Sequence, residues 1–258
     1  MRGARPSLAV WKFASCDGCQ LSVLDGVEEL LDLVGAIEVA HFLEASSHVV
    51  EGPYDLSLVE GSITTAADAE RIRDIRRQSK MLVTIGACAT AGGIQSLRND
   101  ADVDVYKRQV YPRPALVNAL PTSTPIGQHV VVDYELRGCP IMPAQLREVL
   151  SALLDGRRPF VPTESVCTEC KRRGVPCVLV ARREPCLGPI TQAGCGALCP
   201  GVARGCYGCF GPMESPNIGA LRTVWTSLGI DEATFGRALR SFNADAPAFR
   251  DGAASHGH

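Results

Sequence analysis

The chain has 258 residues, 46% of them apolar and 21% charged, a composition that permits a sizeable core and excludes wholesale disorder. Its net charge of −2 at pH 7 gives no support to nucleic-acid binding. No apolar run nears the roughly 18 residues of a spanning helix, so no integral membrane segment is expected.

The first half alternates strand-like and helix-like segments. Leu8 to Phe13 is a short apolar run that stops at Ser15-Cys16-Asp17-Gly18-Cys19. Leu21, Val23, Leu24, Val27, Leu30, Leu31 and Val34 then recur at helical spacing, and Gly35 supplies a stop. Ala36 to Leu43 reads as a second strand, and Tyr54 to Val59 as a third, ending at Glu60-Gly61-Ser62. A polar helix is expected over roughly Ala66 to Ser79, and Met81 to Ile85 is a fourth strand closed by Gly86-Ala-Cys88-Ala-Thr-Ala-Gly92-Gly93. After an irregular stretch, His129 to Leu136 gives a fifth strand that ends at Arg137-Gly138-Cys139-Pro140, and a helix after Pro143 closes the domain near Gly156. In the tail, Leu221, Val224, Trp225 and Leu228 suit one short amphipathic helix, and Phe235, Leu239 and Phe242 another. Gly252 onward, with His256 and His258, reads as a frayed end.

This rhythm implies a parallel sheet with helices on both faces. The expected fold is therefore α/β, a flavodoxin-like sheet domain over residues 1–160 followed by a loop-rich cysteine domain over residues 161–258. In such sheets ligands bind outside the carboxyl ends of the strands, and Cys16, Cys19, Cys88 and Cys139 all lie just after a predicted strand. Strands distant in sequence would deliver four thiolates to one edge of the sheet.

The chain has twelve cysteines. The other eight, Cys167, Cys170, Cys177, Cys186, Cys195, Cys199, Cys206 and Cys209, crowd one short stretch of the second half. Four thiolates is the ligand count of a cubane iron–sulfur cluster or of a structural zinc, so the arithmetic proposes three metal centres. Disulfides are a competing account. The start of the chain shows no apolar signal segment, so a cytoplasmic location is expected, where cysteine clusters more often bind metal. Gly18 permits a tight turn between Cys16 and Cys19, and Gly92-Gly93 lets backbone approach a bulky inorganic group. Zinc stays open for the second half, where the spacings are irregular and no strong hairpin pattern surrounds them.

Cys16-Asp-Gly-Cys19, Glu60-Gly61-Ser62, Gly86 to Gly93 and Gly138-Cys139-Pro140 together resemble the proximal-cluster set of nickel–iron hydrogenase small subunits. The related quinone-reductase subunit of respiratory complex I shares part of the pattern, but its site typically carries a tandem cysteine pair, which this chain lacks. Cys167-Thr-Glu-Cys170, Cys177 and Cys186-Leu-Gly-Pro resemble the distal-cluster region of these subunits, with cysteine where relatives often place histidine. Cys195, Cys199-Pro200 and Cys206-Tyr-Gly-Cys209 resemble the medial-cluster region, with Cys199 as a fourth ligand. The stretches Gly93 to Asn99, Val110 to Pro114 and Ser123 to Leu136 are most similar to cytoplasmic NAD(P)-linked hydrogenases, or sulfhydrogenases.

The resemblance implies three [4Fe-4S] clusters, held by Cys16, Cys19, Cys88 and Cys139; by Cys167, Cys170, Cys177 and Cys186; and by Cys195, Cys199, Cys206 and Cys209. Interleaving of one ligand between the last two sets stays open. The implied partners are a large subunit bearing the nickel–iron site, and iron–sulfur and flavin/NAD(P)-binding subunits. Hydrogen chemistry would occur on the large subunit, and this chain would carry electrons. Small subunits of F420-linked or heterodisulfide-reductase-linked hydrogenases, or a complex I-related iron–sulfur subunit, are the alternatives. No GxGxxG fingerprint occurs at a strand-to-helix turn, in keeping with a dinucleotide site elsewhere.

Three further features have plainer accounts. Lys171, Arg172, Arg173, Arg182 and Arg183 form a basic cluster that could steer an acidic partner or be solvated surface. His41, His48 and His129 lie in or beside strand-like segments and read as structural. Glu60 could hydrogen-bond a proton route or brace its loop.

Overall fold

The computed structural model describes residues 5–26 and 35–254. Helical positions Val27, Leu30, Leu31 and Val34 and the terminal His256 and His258 lie outside them. The chain divides into two compact units, residues 1–160 and 161–258.

The first unit is built on five parallel strands: β1 (Ser7–Lys12), β2 (Glu38–Phe42), β3 (Tyr54–Glu60), β4 (Ser79–Ile85) and β5 (Tyr134–Leu136). Their order in the sheet is β2-β1-β3-β4-β5, the flavodoxin-like winding, whose switch point falls between β1 and β3. Helices α1 (Gly18–Asp25), α2 (Ala66–Gln78), α3 (Gly86–Ala91), α4 (Val103–Val110) and α5 (Pro143–Leu154) connect or flank them. Strands β1, β3 and β4 are buried along their centres, over Leu8 to Val10, Leu56 to Glu60 and Leu82 to Ile85, as expected where helices cover both faces. Ile72 and Ile75 of α2 pack with Phe13, Val59, Leu82 and Ile126 in one core cluster, while Ala9, Ala40 and Tyr54 form another. Helix α2 starts where the Thr65 side chain accepts from the Asp68 amide at 3.1 Å, an N-cap that satisfies an orphan donor. Arg76 and Arg77 occupy its last turn, where positive charge suits the helix dipole.

One register row positions everything that follows. Lys12 pairs with Glu60, Glu60 with Ile85, and Ile85 with Leu136. Four strands therefore end level, and the loops that begin at Phe13, Gly61, Gly86 and Arg137 leave the sheet side by side.

The fifth strand is shorter than its apolar run suggested. His129 to Asp133 lie outside β5, after a 3-10 turn over Ile126–Gln128. The Asp133 carboxylate takes the Leu82 amide at 2.7 Å, while its own amide donates to the Leu82 carbonyl at 2.9 Å. A side chain thus fills the place of a ladder carbonyl, and regular pairing begins only at Tyr134. Arg76 ion-pairs with the same carboxylate at 2.5 Å. Asp133→Ala leaves the Leu82 amide without that acceptor, and we expect about 1–2 kcal/mol of lost stability in urea denaturation, with Asp133→Asn recovering most of it.

The second unit contains short helices α6 (Val166–Arg172), α7 (Val178–Ala181) and α8 (Leu198–Gly201), then α9 (Ile218–Ser227), α10 (Glu232–Leu239) and α11 (Pro247–Ala254). Trp225 and Phe235 meet edge to face at 5.0 Å, so the two expected tail helices bury their apolar faces on one another. The expectation of a frayed end from Gly252 is corrected here. Gly252 to Ala254 belong to α11, Phe249 is buried, and the Gly252 carbonyl accepts from Arg222. Among the described residues no helix is long and apolar enough to cross a membrane.

Candidate metal centres

The level strand ends bring the four first-half cysteines together. The chain leaving β1 continues beside the chain leaving β3: the Phe13 amide donates to Glu60, and Ala14 and Ser62 exchange backbone hydrogen bonds. The Ala87 amide at the head of α3 donates to the Gly138 carbonyl at 2.7 Å, which holds Cys88 next to Cys139. Cys19 is buried, Cys88 and Cys139 are half-buried, and Cys16 is exposed.

Burial pushes the Cys88 thiol up to about 11, with Cys139 adding to the effect. Cys19 is raised by burial first and then by Glu60, Cys88 and Cys139. Cys139 is raised by burial, then by Cys16 and Glu60. Thiols that crowd and desolvate one another resist ionisation, and a bound cation reverses that balance by making the thiolate the favoured form.

The backbone around these sulfurs has no spare volume. A Cβ on Gly86, whose φ is +84°, would lie 2.3 Å from the Cys19 sulfur, and one on Gly93, at φ +64°, would lie 2.5 Å from the Cys88 sulfur. Only glycine combines that conformation with that approach. Glu60 is 2% exposed and accepts from the amides of Cys19 at 3.2 Å and Gln20 at 3.1 Å. Those bonds fix the first turn of α1, so Glu60 braces the Cys19 loop. Burial raises its carboxyl, and the amides of Cys19 and Gln20 oppose that rise. Gln95 was not picked out from sequence. Its Nε2 donates to the Ala14 carbonyl at 2.8 Å and its Oε1 lies 3.4 Å from the Cys88 sulfur, tying two ligand loops together. Its place just after Gly92-Gly93 was the available signal.

In the second unit, Cys167, Cys170, Cys177 and Cys186 line a single cavity of about 130 Å³. The remaining walls include Val175, Val178, Leu179, Pro189 and Pro200, with Lys171 at the side. Burial pushes Cys167 up to about 11, and Cys186, Cys170 and Cys177 add to it. An apolar chamber with four convergent thiols suits a thiolate-bound inorganic group better than an organic ligand, which needs convergent polar groups of other kinds.

Cys195, Cys199, Cys206 and Cys209 sit on neighbouring segments. Burial raises the Cys195 thiol, with Glu169 and then Cys199 adding to it, and burial raises the Cys206 thiol, with Cys186 and then Cys209 adding; Cys195 also acts on Cys170, and Cys199 on Cys186, so the two sets are coupled. The Cys206 amide donates to the Cys186 sulfur at 3.2 Å, and the Leu187 amide donates to the Cys206 carbonyl at 2.9 Å. The two cysteine groups are thus joined by backbone. Glu169, between Cys167 and Cys170, lies 3.9 Å from the Cys195 sulfur and accepts from neighbouring amides, a role that sequence reasoning missed.

Among the described residues no three Cys, His, Asp or Glu side chains converge tightly enough for a single metal ion. Mononuclear zinc would draw each sulfur to about 2.3 Å. Two of the histidines are engaged within the first unit: His41 stacks on Trp11 at 3.9 Å, and His129 Nε2 meets Thr124 Oγ1 at 2.7 Å. The basic cluster is partly engaged within the unit, since Arg172 pairs with Glu164 at 3.1 Å and Arg173 donates to backbone carbonyls.

Comparison with known proteins agrees with this architecture. The model of the NADH ubiquinone oxidoreductase 20 Kd subunit family matches residues 16–153, which run from the first cysteine through most of α5. Sulfhydrogenase 2 subunit delta of Pyrococcus furiosus is 36% identical, over 91% of this chain and 98% of its own length. This chain belongs to the nickel–iron hydrogenase small-subunit family. A subunit of the F420-non-reducing hydrogenase of Methanocaldococcus jannaschii is 33% identical, over 81% of this chain and 83% of its own. A chain in the crystal structure of an NAD+-reducing [NiFe]-hydrogenase in the H2-reduced state superposes with a TM-score of 0.57 at 31% identity, covering 62% of this small subunit and 96% of that chain. The hydrogenase resemblance read from the cysteine motifs is therefore correct, and the small subunit is part of an oxidoreductase.

Proposed function

We propose that this small subunit relays electrons through three [4Fe-4S] clusters between the nickel–iron site of a large subunit and a flavin/NAD(P)-reducing module, in the cytoplasm. The observation that carries the reading is the level row of strand ends, which delivers four cysteines from the segments after β1, β4 and β5 to one edge of the sheet. On this reading Cys16, Cys19, Cys88 and Cys139 hold the proximal cluster; Cys167, Cys170, Cys177 and Cys186 the distal; and Cys195, Cys199, Cys206 and Cys209 the medial. The shared cavity of the distal four supports that partition.

When bound, such clusters supply one-electron transfer at potentials set by charge, hydrogen bonding and burial. The chain's own residues do the rest. Gly86 and Gly93 let backbone close on the sulfurs, Glu60 holds the Cys19 turn, and Val178 and Leu179 keep water from the second-unit chamber. Hydrogen bonding from the Cys206 amide lowers electron density on the Cys186 sulfur and shortens the path between two ligand sets. Exposed apolar side chains at Leu97, Tyr106, Val110, Tyr111 and Leu116 follow Gln95 in sequence and suit burial against a large subunit.

Anaerobic isolation of the native complex tests the reading by metal and sulfide analysis. We expect about twelve irons per small subunit with matching sulfide, and nickel in a copurifying partner. Zinc without sulfide would overturn it. Similarity to the F420-non-reducing hydrogenase supports a second reading, in which the same relay serves a different acceptor module. Hydrogen-dependent reduction of an artificial dye without reduction of NAD(P) by the complete complex would favour that one.

A further inference from the structure

We propose that Glu169 and Arg173 form a charged clamp that seats Cys195 and lowers the reduction potential of the centre to which Cys195 belongs. The inference rests on the reading of Cys195 as a cluster ligand. Glu169 lies on α6 and Arg173 is its C-cap residue, four positions apart and hence on the same face. Their targets are the two sides of one short loop. Glu169 Oε1 accepts from the Gly194 amide at 2.9 Å and the Gly196 amide at 3.1 Å, and Oε2 accepts from the Ala197 amide at 3.0 Å. Arg173 Nη1 donates to the Gly196 carbonyl and, at 3.1 Å, to the Ala197 carbonyl. The donors and the acceptors of the Gly196-Ala197 backbone are thus held by opposite charges from one helix.

This loop needs holding. Gly196 has φ +67° and Ala197 has φ +52°, a left-handed conformation that an alanine rarely adopts. Such a conformation persists where surrounding contacts over-determine it. A Cβ on Gly201 would fall 2.7 Å from Arg173 Nη2, so the guanidinium also lies against the backbone of α8, which carries Cys199. The helix that bears Cys167 and Cys170 therefore fixes the segments that bear Cys195 and Cys199. The seating is asymmetric in charge. The Glu169 carboxylate stands 3.9 Å from the Cys195 sulfur, whereas Arg173 grips carbonyls. The Ala197 amide that Glu169 takes also hydrogen-bonds the Cys195 sulfur, as does the Leu198 amide, so the carboxylate and the sulfur share one loop. A fixed negative charge beside a cluster favours its oxidised form.

The test uses the complete complex, isolated anaerobically with the parent or variant small subunit, with iron and sulfide analysis and a redox titration followed by electron paramagnetic resonance. Glu169→Gln keeps the side-chain shape and one acceptor but removes the charge. It should raise the midpoint potential of one second-unit centre and leave the centre of Cys16, Cys19, Cys88 and Cys139 unmoved. Glu169→Ala and Arg173→Ala should lose iron from the Cys195 centre alone. Unchanged potentials in Glu169→Gln overturn the charge role, and parent-like iron in both alanine variants overturns the seating role. A parent complex without iron at the second-unit cysteines overturns the reading of Cys195 as a ligand instead, so the two failures are told apart by the parent's own analysis.

Discussion

Cys19→Ser is expected to abolish hydrogen-dependent reduction of every other centre in the small subunit, with the loss of about four of about twelve irons. Cys19 is the most buried of its group and the one that Gly86 and Glu60 both abut. A serine hydroxyl is a poor substitute for thiolate at iron. The remaining sites lie in the other compact unit and should keep their iron. Dithionite should still reduce them, while hydrogen should not. Retention of hydrogen-dependent reduction in the variant would remove the first-half site from the electron path.

The second large effect concerns the backbone between the two cysteine groups of the second unit. A Cβ on Gly205 would lie 1.8 Å from the Pro185 carbonyl oxygen and 2.9 Å from its carbon. The clash is with main chain, so no side-chain rotation relieves it. Overpacking typically costs about 1–3 kcal/mol and occasionally more, and here the displaced segment also carries the bonds from the Cys206 amide to the Cys186 sulfur and from the Leu187 amide to the Cys206 carbonyl. Gly205→Ala is therefore expected to cost about 3 kcal/mol or more and to deplete iron from both second-unit groups together. Thermal unfolding and iron analysis of the complex check this. Iron loss restricted to one group would show that Gly205 does not join them.

The sheet was legible because its strands are short apolar runs closed by glycine-containing turns. The first-half cysteines could be placed at a common edge for the same reason, since each follows such a run. The register that levels Lys12, Glu60, Ile85 and Leu136 was not legible, as pairing between distant strands leaves no mark in either segment alone. His129 to Asp133 misled by composition: three valines look like strand, but the Asp133 carboxylate intercepts the Leu82 amide and delays pairing. Gln95 and Glu169 were missed, and Arg173 was read only as part of a basic cluster, because polar side chains in or beside ligand motifs look like solvated surface. Their partners, Ala14 and the Gly194 to Ala197 loop, lie too far along the chain to be inferred from local pattern. The tail failed more simply. Phe249 is buried and Gly252 lies against Ile218 and Leu239, and one buried aromatic among alanines and glycine is a weak periodic signal.

The level strand ends also set an order of assembly. Cys16 and Cys19 emerge from the ribosome early, but their partners on the sheet edge require β4 and then β5, the last strand of the unit. On the proposed reading, a complete four-thiolate site cannot exist in the nascent chain until Cys139 has been made and Leu136 has docked beside Ile85. Delivery of the inorganic group to this edge must therefore follow synthesis of more than half the polypeptide, whereas the second-unit cysteines become available within one short interval of translation.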